Sequence, residues 1–125
     1  MSNGLKVTFL IHAIVAFLFG LGLYFVPGTF AAMVGWGAMD PIMARNFGGA
    51  LLAIGVSSWL GYRAKDWGQV RIVVVMEIFL TVLSVLSNLY AQLMAGGPMF
   101  NWSNVVVVAI FAVLWIYFYA KAPKA

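Results

Sequence analysis

Long apolar runs separated by short polar connections constrain the fold of this chain more than any other feature of its sequence. The runs cover about residues 7–26, 42–62, 72–93 and 105–120. Each is close to the roughly 17–25 residues that an α-helix needs to cross the hydrocarbon of a bilayer. In lipid the backbone must satisfy its own hydrogen bonds, so helices are expected rather than isolated strands. The sequence therefore predicts an all-α fold, with residues 1–125 forming one four-helix transmembrane domain.

The composition agrees with this prediction and excludes several other classes of protein. The chain is 65% hydrophobic and only 8% charged, whereas a soluble domain carries about 25% charged residues. A net charge of +4 could indicate a nucleic-acid partner. However, the basic residues lie in the short connections, where they set membrane topology, so we expect no nucleic acid as a partner. With no cysteine in the chain, disulfides and thiolate metal sites are excluded.

The basic residues are distributed unevenly between the two predicted faces of the membrane. Arg45 stands alone on one face. The other face has six of the seven basic residues, namely Lys6, Arg63, Lys65, Arg71, Lys121 and Lys124. Because cytoplasmic connections carry an excess of Lys and Arg, both termini and the connection at residues 63–71 are expected in the cytoplasm. The sequence thus predicts a multi-pass protein of the cell membrane.

The connection after the first span, residues 27–41, is almost uncharged. Its apolar residues Phe30, Met33 and Val34 recur at helical spacing, and Trp36 follows them. This pattern is typical of a short amphipathic segment that lies at the membrane interface. We therefore predict a short interfacial segment after the first helix.

The third span has a stripe of polar residues. Glu77, Thr81, Ser84 and Asn88 fall at i, i+4, i+7 and i+11, which places them on one face of a helix. Polar residues within a span usually face partners or water. Thr and Ser can instead bond carbonyls of their own helix, but this does not explain the acid or the amide.

Depth along the helices indicates which residues could meet Glu77. At about 1.5 Å of rise per residue, His12 of the first span and the Ser57–Ser58 pair of the second lie at a similar level. The candidates for ligand binding or proton exchange are therefore His12, Glu77, Ser57, Ser58 and Thr81. A His12–Glu77 pair could equally fix the register of the helices, and which of the two holds the proton stays open.

The same candidates do not indicate metal or nucleophilic chemistry. Two potential ligands are too few to predict a metal site. No serine motif accompanies the single histidine, so no catalytic residue is assigned.

A second polar layer is expected near the outer surface. Arg45 lies level with Asn88 and could reach that amide, Asp40 or a lipid phosphate; alternatively, it extends to the interface as an ordinary boundary cation. The predicted outer polar layer consists of Arg45, Asn46, Ser84 and Asn88.

Residues 44–61, ARNFGGALLAIGVSSWLG, have a recognisable pattern. The order Arg45, Gly48-Gly49, Leu52, Gly55 resembles small four-helix integral membrane proteins of unknown function close to the DoxX-like group. The resemblance implies a four-helix bundle and a redox- or quinone-associated setting. It implies no catalytic residue, because the group has no established one to transfer.

Three functional interpretations are open, and we rank them in this order. The first is a non-enzymatic accessory subunit or a lipid- or quinone-binding protein. The second is a small proton-coupled transporter that acts as an oligomer and uses Glu77 as the exchanging carboxylate. The third is a membrane enzyme for a lipophilic substrate, with His12 and Glu77 as acid and base. The expected partners are membrane lipids, a lipophilic ligand such as a quinone, and further copies of the chain or a larger complex; no cofactor is identified.

Overall fold

The computed structural model describes residues 1–124, and within this range it is entirely helical, with no strand. Its five helices are α1 (Asn3–Phe25), α2 (Pro27–Met33), α3 (Pro41–Arg63), α4 (Trp67–Met94) and α5 (Asn101–Lys121). The predicted all-α class is confirmed. The four long helices contain the four apolar runs almost completely, and α2 occupies the start of the predicted interfacial segment.

Three of the described helices are long and apolar enough to cross a membrane: α1, α4 and α5. The sequence predicts four. Helix α3 has 23 residues, as many as α1, but it is less apolar because it includes Arg45, Asn46 and several Gly and Ser residues. The membrane-protein class is therefore supported by three helices, and the length of α3 alone does not make it a fourth.

Acidic side chains cap the starts of two of the helices. The Oδ1 atom of Asp40 accepts hydrogen bonds from the backbone N–H groups of Ile42 (2.8 Å) and Met43 (3.2 Å) at the start of α3. Asp66 accepts from the N–H of Gln69 at 3.2 Å at the start of α4. These N–H groups have no carbonyl partner within their helix, so both acids act as helix caps. Of the three acids in the chain, this leaves Glu77 inside a helix.

The chain divides into two compact units. One, the α1–α3 unit, is Phe9–Arg63. The other, the α4–α5 unit, consists of Met1–Thr8 and the described part of Ala64–Ala125.

Close contact between antiparallel helices defines the α1–α3 unit. A Cβ atom placed on Gly48 would lie 2.6 Å from the backbone nitrogen of Tyr24, and one on Gly61 would lie 2.6 Å from the ring of Phe9. Such distances leave no room for any side chain at either glycine. Small residues at helix contacts allow backbones to approach closely in lipid, and here they fix how near α3 lies to α1.

Helix α2 packs on the end of α1. The ring of Phe30 meets that of Phe19 edge to face, with the centroids 5.5 Å apart, and covers Gly22. Pro27 and Ala31 are also buried, whereas the Met33 side chain is 80% exposed. The predicted short segment is therefore a helix with one buried face, and Met33 lies on the opposite face from Ala31.

The α4–α5 unit is a helical hairpin with two distinct ends. At one end, the rings of Trp67 and Tyr119 lie 6.0 Å apart, and Gly4 approaches the ring of Phe118. The first turn of α1, the start of α4 and the end of α5 therefore lie together. We call this the basic end, after its residues Lys6, Lys65, Arg71 and Lys121.

Large apolar side chains cover the outer surface of this hairpin. On α4 the exposed fraction is 66% for Phe79, 61% for Leu83 and 68% for Leu93. On α5 it is 54% for Ile110 and 67% for Val113. Contiguous apolar surface on this scale is unusual on a soluble monomer, but it suits lipid tails.

Candidate functional site

His12 of α1 and Ser58 of α3 are joined by a buried hydrogen bond. The distance from Nδ1 of His12 to Oγ of Ser58 is 2.8 Å, and the direction of donation depends on the histidine tautomer. The histidine is 8% exposed and the serine 0%. Both were candidates in the sequence, and the structure brings them together because α1 and α3 run antiparallel with their small faces in contact.

A serine bonded to a histidine has the geometry that activates a nucleophile. A nucleophile must also be reachable, because the substrate atom that it attacks has to approach it closely. Ser58 has no exposed surface, so no substrate can reach its hydroxyl in this arrangement. The bond therefore acts as a polar link between two helices, of the kind that contributes about 1 kcal/mol in membrane proteins.

The neighbouring Ser57 takes a different role. Its hydroxyl donates to the carbonyl of Ile54 at 2.9 Å, within the same helix. Successive residues on a helix point about 100° apart, so only one of the two serines can face α1. Ser57 is therefore not part of the bond to His12.

Glu77 lies in the buried stripe of α4. The stripe consists of Val70, Val74, Glu77 and Thr81, and the glutamate is 3% exposed. The Thr81 hydroxyl donates to the backbone carbonyl of Glu77 at 2.6 Å. The Thr81 hydroxyl is therefore bonded within its own helix, as Thr and Ser hydroxyls often are. This bond does not involve the Glu77 carboxylate.

His12 and Glu77 belong to different units: His12 is part of the α1–α3 unit, and Glu77 is part of the α4–α5 unit. The pairing of these two side chains stays a prediction. The same holds for the proposed contact of Arg45 with Asn88, because Arg45 is in the first unit and Asn88 in the second.

The four residues of the predicted outer layer have different environments. Arg45 and Asn46 are exposed on the first turns of α3, whereas Ser84 and Asn88 are half-buried on α4. Asn88 donates to the carbonyl of Ser84 at 2.8 Å and accepts from Asn104 of α5 at 3.1 Å. Its amide thus connects the two helices of the hairpin.

Asn88 is one member of a cluster of amide side chains that the sequence analysis missed. Gln92 donates to the carbonyls of Gly97 and Pro98, at 3.1 Å each, and its Oε1 atom accepts from Asn101 at 3.0 Å. Asn101 is fully buried. We call Asn88, Gln92, Asn101 and Asn104 the amide cluster. A signal was present in the sequence, because Asn88 and Gln92 lie four residues apart on α4, and Asn101 and Asn104 lie three apart on α5.

The amide cluster holds the connection between α4 and α5 in place. Gly96 has a φ of +63°, a left-handed conformation that favours glycine, and it turns the chain back. Gln92 then satisfies the two carbonyls that follow. Uncharged amides can be buried at lower cost than ions if they are hydrogen-bonded, so the cluster is suited to a structural role at the end of the hairpin.

No group of three or more His, Cys, Asp or Glu residues that could hold a metal ion occurs among residues 1–124.

These features define a class of protein: an all-α chain whose long apolar helices suit a membrane and whose buried polar side chains join neighbouring helices. No family model matches the chain, and neither a curated protein nor a solved structure is similar to it. The resemblance to the DoxX-like group therefore stays a prediction.

Proposed function

We propose that this chain is a multi-pass protein of the cell membrane that works as a non-enzymatic accessory subunit or as a lipid- or quinone-binding protein. In residues 44–61 it resembles the DoxX-like group of small four-helix membrane proteins. Its four long helices all span the bilayer, and both termini are in the cytoplasm.

Two observations support the fourth span and the orientation. Helix α3 has 23 residues, so at about 1.5 Å per residue it is about 34 Å long, enough for the hydrocarbon core. Its serines are satisfied by His12 and by its own backbone. The collection of Lys6, Lys65, Arg71 and Lys121 at one end of the α4–α5 unit agrees with a cytoplasmic basic end.

The functional proposal is supported mainly by the hydrogen bonds that the polar side chains within the helices make. Ser58 is bonded to His12 and enclosed, Thr81 and Ser57 bond their own helices, and the amide cluster closes the hairpin. These groups position helices and leave no accessible nucleophile among them. Such a protein acts through its surface, by binding lipophilic molecules or other membrane proteins.

Native mass spectrometry of the gently extracted chain tests this proposal. We expect a second protein or a lipophilic molecule at a fixed ratio to the chain, and the same species with Ser58→Ala as with the control Ser57→Ala. Extraction of the chain free of both, together with an activity on a lipophilic substrate that Ser58→Ala abolishes and Ser57→Ala preserves, would contradict it.

A proton-coupled transporter is the second candidate, and the placement of Glu77 favours it. Two of the three acids cap helices, and the third is 3% exposed within α4. An ionisable residue within a span is often functional. Proton flux into liposomes, followed with an enclosed pH-sensitive dye, tests this function.

The control for that experiment is Asp66→Asn, which removes a carboxylate but keeps a residue that caps helices well. A transporter would lose flux in Glu77→Gln and keep it in Asp66→Asn. If the original chain and both variants give only the flux of empty liposomes, the transporter function is excluded.

A further inference from the structure

A shallow groove lies on the first turns of α4. It has a volume of about 550 Å³, and its lining residues are Gly68, Arg71, Ile72, Val75 and Met76. The side chains of Ile72 and Met76 are 75% and 63% exposed. Gly68 also lines the groove and has no side chain to fill it. The groove therefore has one cationic residue at its start and an apolar floor over the following turn.

The surroundings of the groove are also basic. It lies at the basic end of the α4–α5 unit, with Lys65 and Lys121 nearby in the same unit. Asp66, the acid closest to Arg71 along the chain, accepts a backbone hydrogen bond as the cap of α4. The charge at this end is thus complementary to an anion, and the apolar floor is complementary to a hydrocarbon chain.

We infer that this groove binds one anionic phospholipid, with the phosphate on Arg71 and the first part of an acyl chain along Ile72, Val75 and Met76. This inference rests on the membrane insertion put forward under the proposed function and names a ligand class and its site. Guanidinium groups bind phosphate oxygens with two parallel hydrogen bonds. The cytoplasmic leaflet, which the basic end faces in the proposed orientation, is the one rich in anionic lipid.

The apolar floor distinguishes a lipid from a free phosphate. From Arg71 to Met76 the helix rises by about 8 Å, which is the depth over which a lipid passes from its phosphate to its upper methylene groups. A soluble phosphate would use Arg71 alone and gain nothing from Ile72 or Met76. Both parts of the site must therefore contribute if the ligand is a phospholipid.

The experiment uses the full chain in mild detergent with equal amounts of phosphatidylglycerol and phosphatidylcholine that have the same acyl chains. Native mass spectrometry counts the lipids that each variant retains. We expect the original chain to retain one phosphatidylglycerol in preference to phosphatidylcholine. Arg71→Gln should reduce that retention about tenfold, the loss expected for a charge-assisted hydrogen bond.

Matched controls separate the site from general surface charge and from general apolar surface. Lys65→Gln removes a charge at the same end but outside the groove, and retention should change by less than about twofold. Met76→Trp fills the groove and should reduce retention. Leu83→Trp, on the same helix with 61% exposure against 63% for Met76, should not.

Three outcomes would overturn the inference. Equal losses in Arg71→Gln and Lys65→Gln would mean a diffuse attraction to basic surface. Full retention in Met76→Trp would mean that no acyl chain lies in the groove. Displacement of the lipid by millimolar glycerol phosphate, which has the head group but no acyl chains, would mean a phosphate site. Helicity measured by circular dichroism identifies variants that do not fold, and Ile72→Trp then replaces Met76→Trp.

A carbonate wash of membranes that contain the chain separates this inference from the proposed function. If the chain is washed off, the membrane proposal fails together with the lipid site. If the chain resists the wash and all variants retain lipid equally, only the lipid site is wrong.

Discussion

The two units use opposite means to hold pairs of antiparallel helices together. In the α1–α3 unit the backbones approach closely at Gly48, which has no side chain to separate them, and Gly61 leaves room for the ring of Phe9. In the α4–α5 unit, large side chains such as Phe111 and Trp115 are buried on α5, and polar contacts concentrate in the amide cluster at one end. The first unit should therefore be sensitive to added volume, and the second to lost hydrogen bonds.

The largest effect is expected from Gly48→Ala in the first unit. The new methyl carbon would lie 2.6 Å from the Tyr24 backbone nitrogen, and a backbone atom within a helix cannot move aside cheaply. We expect the free energy of unfolding, measured by denaturant titration in detergent, to fall by about 2–3 kcal/mol. The control is Gly49→Ala, whose methyl carbon would lie 3.6 Å from the Tyr24 ring, an ordinary contact.

Gly49→Ala should be neutral or stabilising, since alanine favours a helix by about 1 kcal/mol over glycine. Equal destabilisation by the two variants would show that close approach of the backbones is not what distinguishes Gly48.

The second unit should respond most to Asn101→Ala. The substitution leaves Oε1 of Gln92 without its 3.0 Å donor and opens a space at a fully buried position. Loss of a buried hydrogen-bond partner costs about 1–3 kcal/mol. Asn104→Ala is the control, because Asn104 is half-buried and bonds to Asn88 at 3.1 Å. Unfolding measured for both should show the larger loss in Asn101→Ala; the reverse order would assign the main contact to Asn88.

A smaller effect is expected at the polar link of the first unit. Ser58→Ala removes the bond to His12, and an interhelical bond of this kind contributes about 0.6–2 kcal/mol in membrane proteins. Ser57→Ala removes only a bond to its own helix and should leave the free energy of unfolding within about 0.5 kcal/mol of the original. If Ser57→Ala is the more damaging, the facing serine has been wrongly assigned.

The smallest effect is expected at Arg45, which is exposed on α3. Arg45→Ala should lower the free energy of unfolding by less than about 1 kcal/mol, and Arg45→Lys should be better tolerated, since a boundary cation mainly needs charge and reach. The same denaturant titration measures both. A loss in Arg45→Lys as large as that in Arg45→Ala would indicate that a guanidinium is required, and Arg45 would then be treated as a binding residue.

Several parts of the site could be predicted because they depend on positions along one helix. The stripe through Glu77 and Thr81 follows from the spacing of residues on a single helix, and the structure shows both buried on one face of α4. The similar depth of His12 and Ser58 along their helices follows from the helical rise and the antiparallel order of the spans. The amide cluster could not be predicted from the apolar runs, because Asn101 and Asn104 precede the fourth run at residues 105–120, whereas α5 begins at Asn101.

The sequence by itself determined the helical class, the approximate bounds of the long helices and the collection of basic residues in particular connections. These properties are local, because apolar length and charge act on each segment without reference to its neighbours. Only the tertiary structure decided that Ser58, and not Ser57, meets His12 and that Gln92 bonds both Asn101 and the turn. Those choices depend on how each helix is rotated about its axis, and rotation is set by side-chain contacts across the interface that no single segment contains.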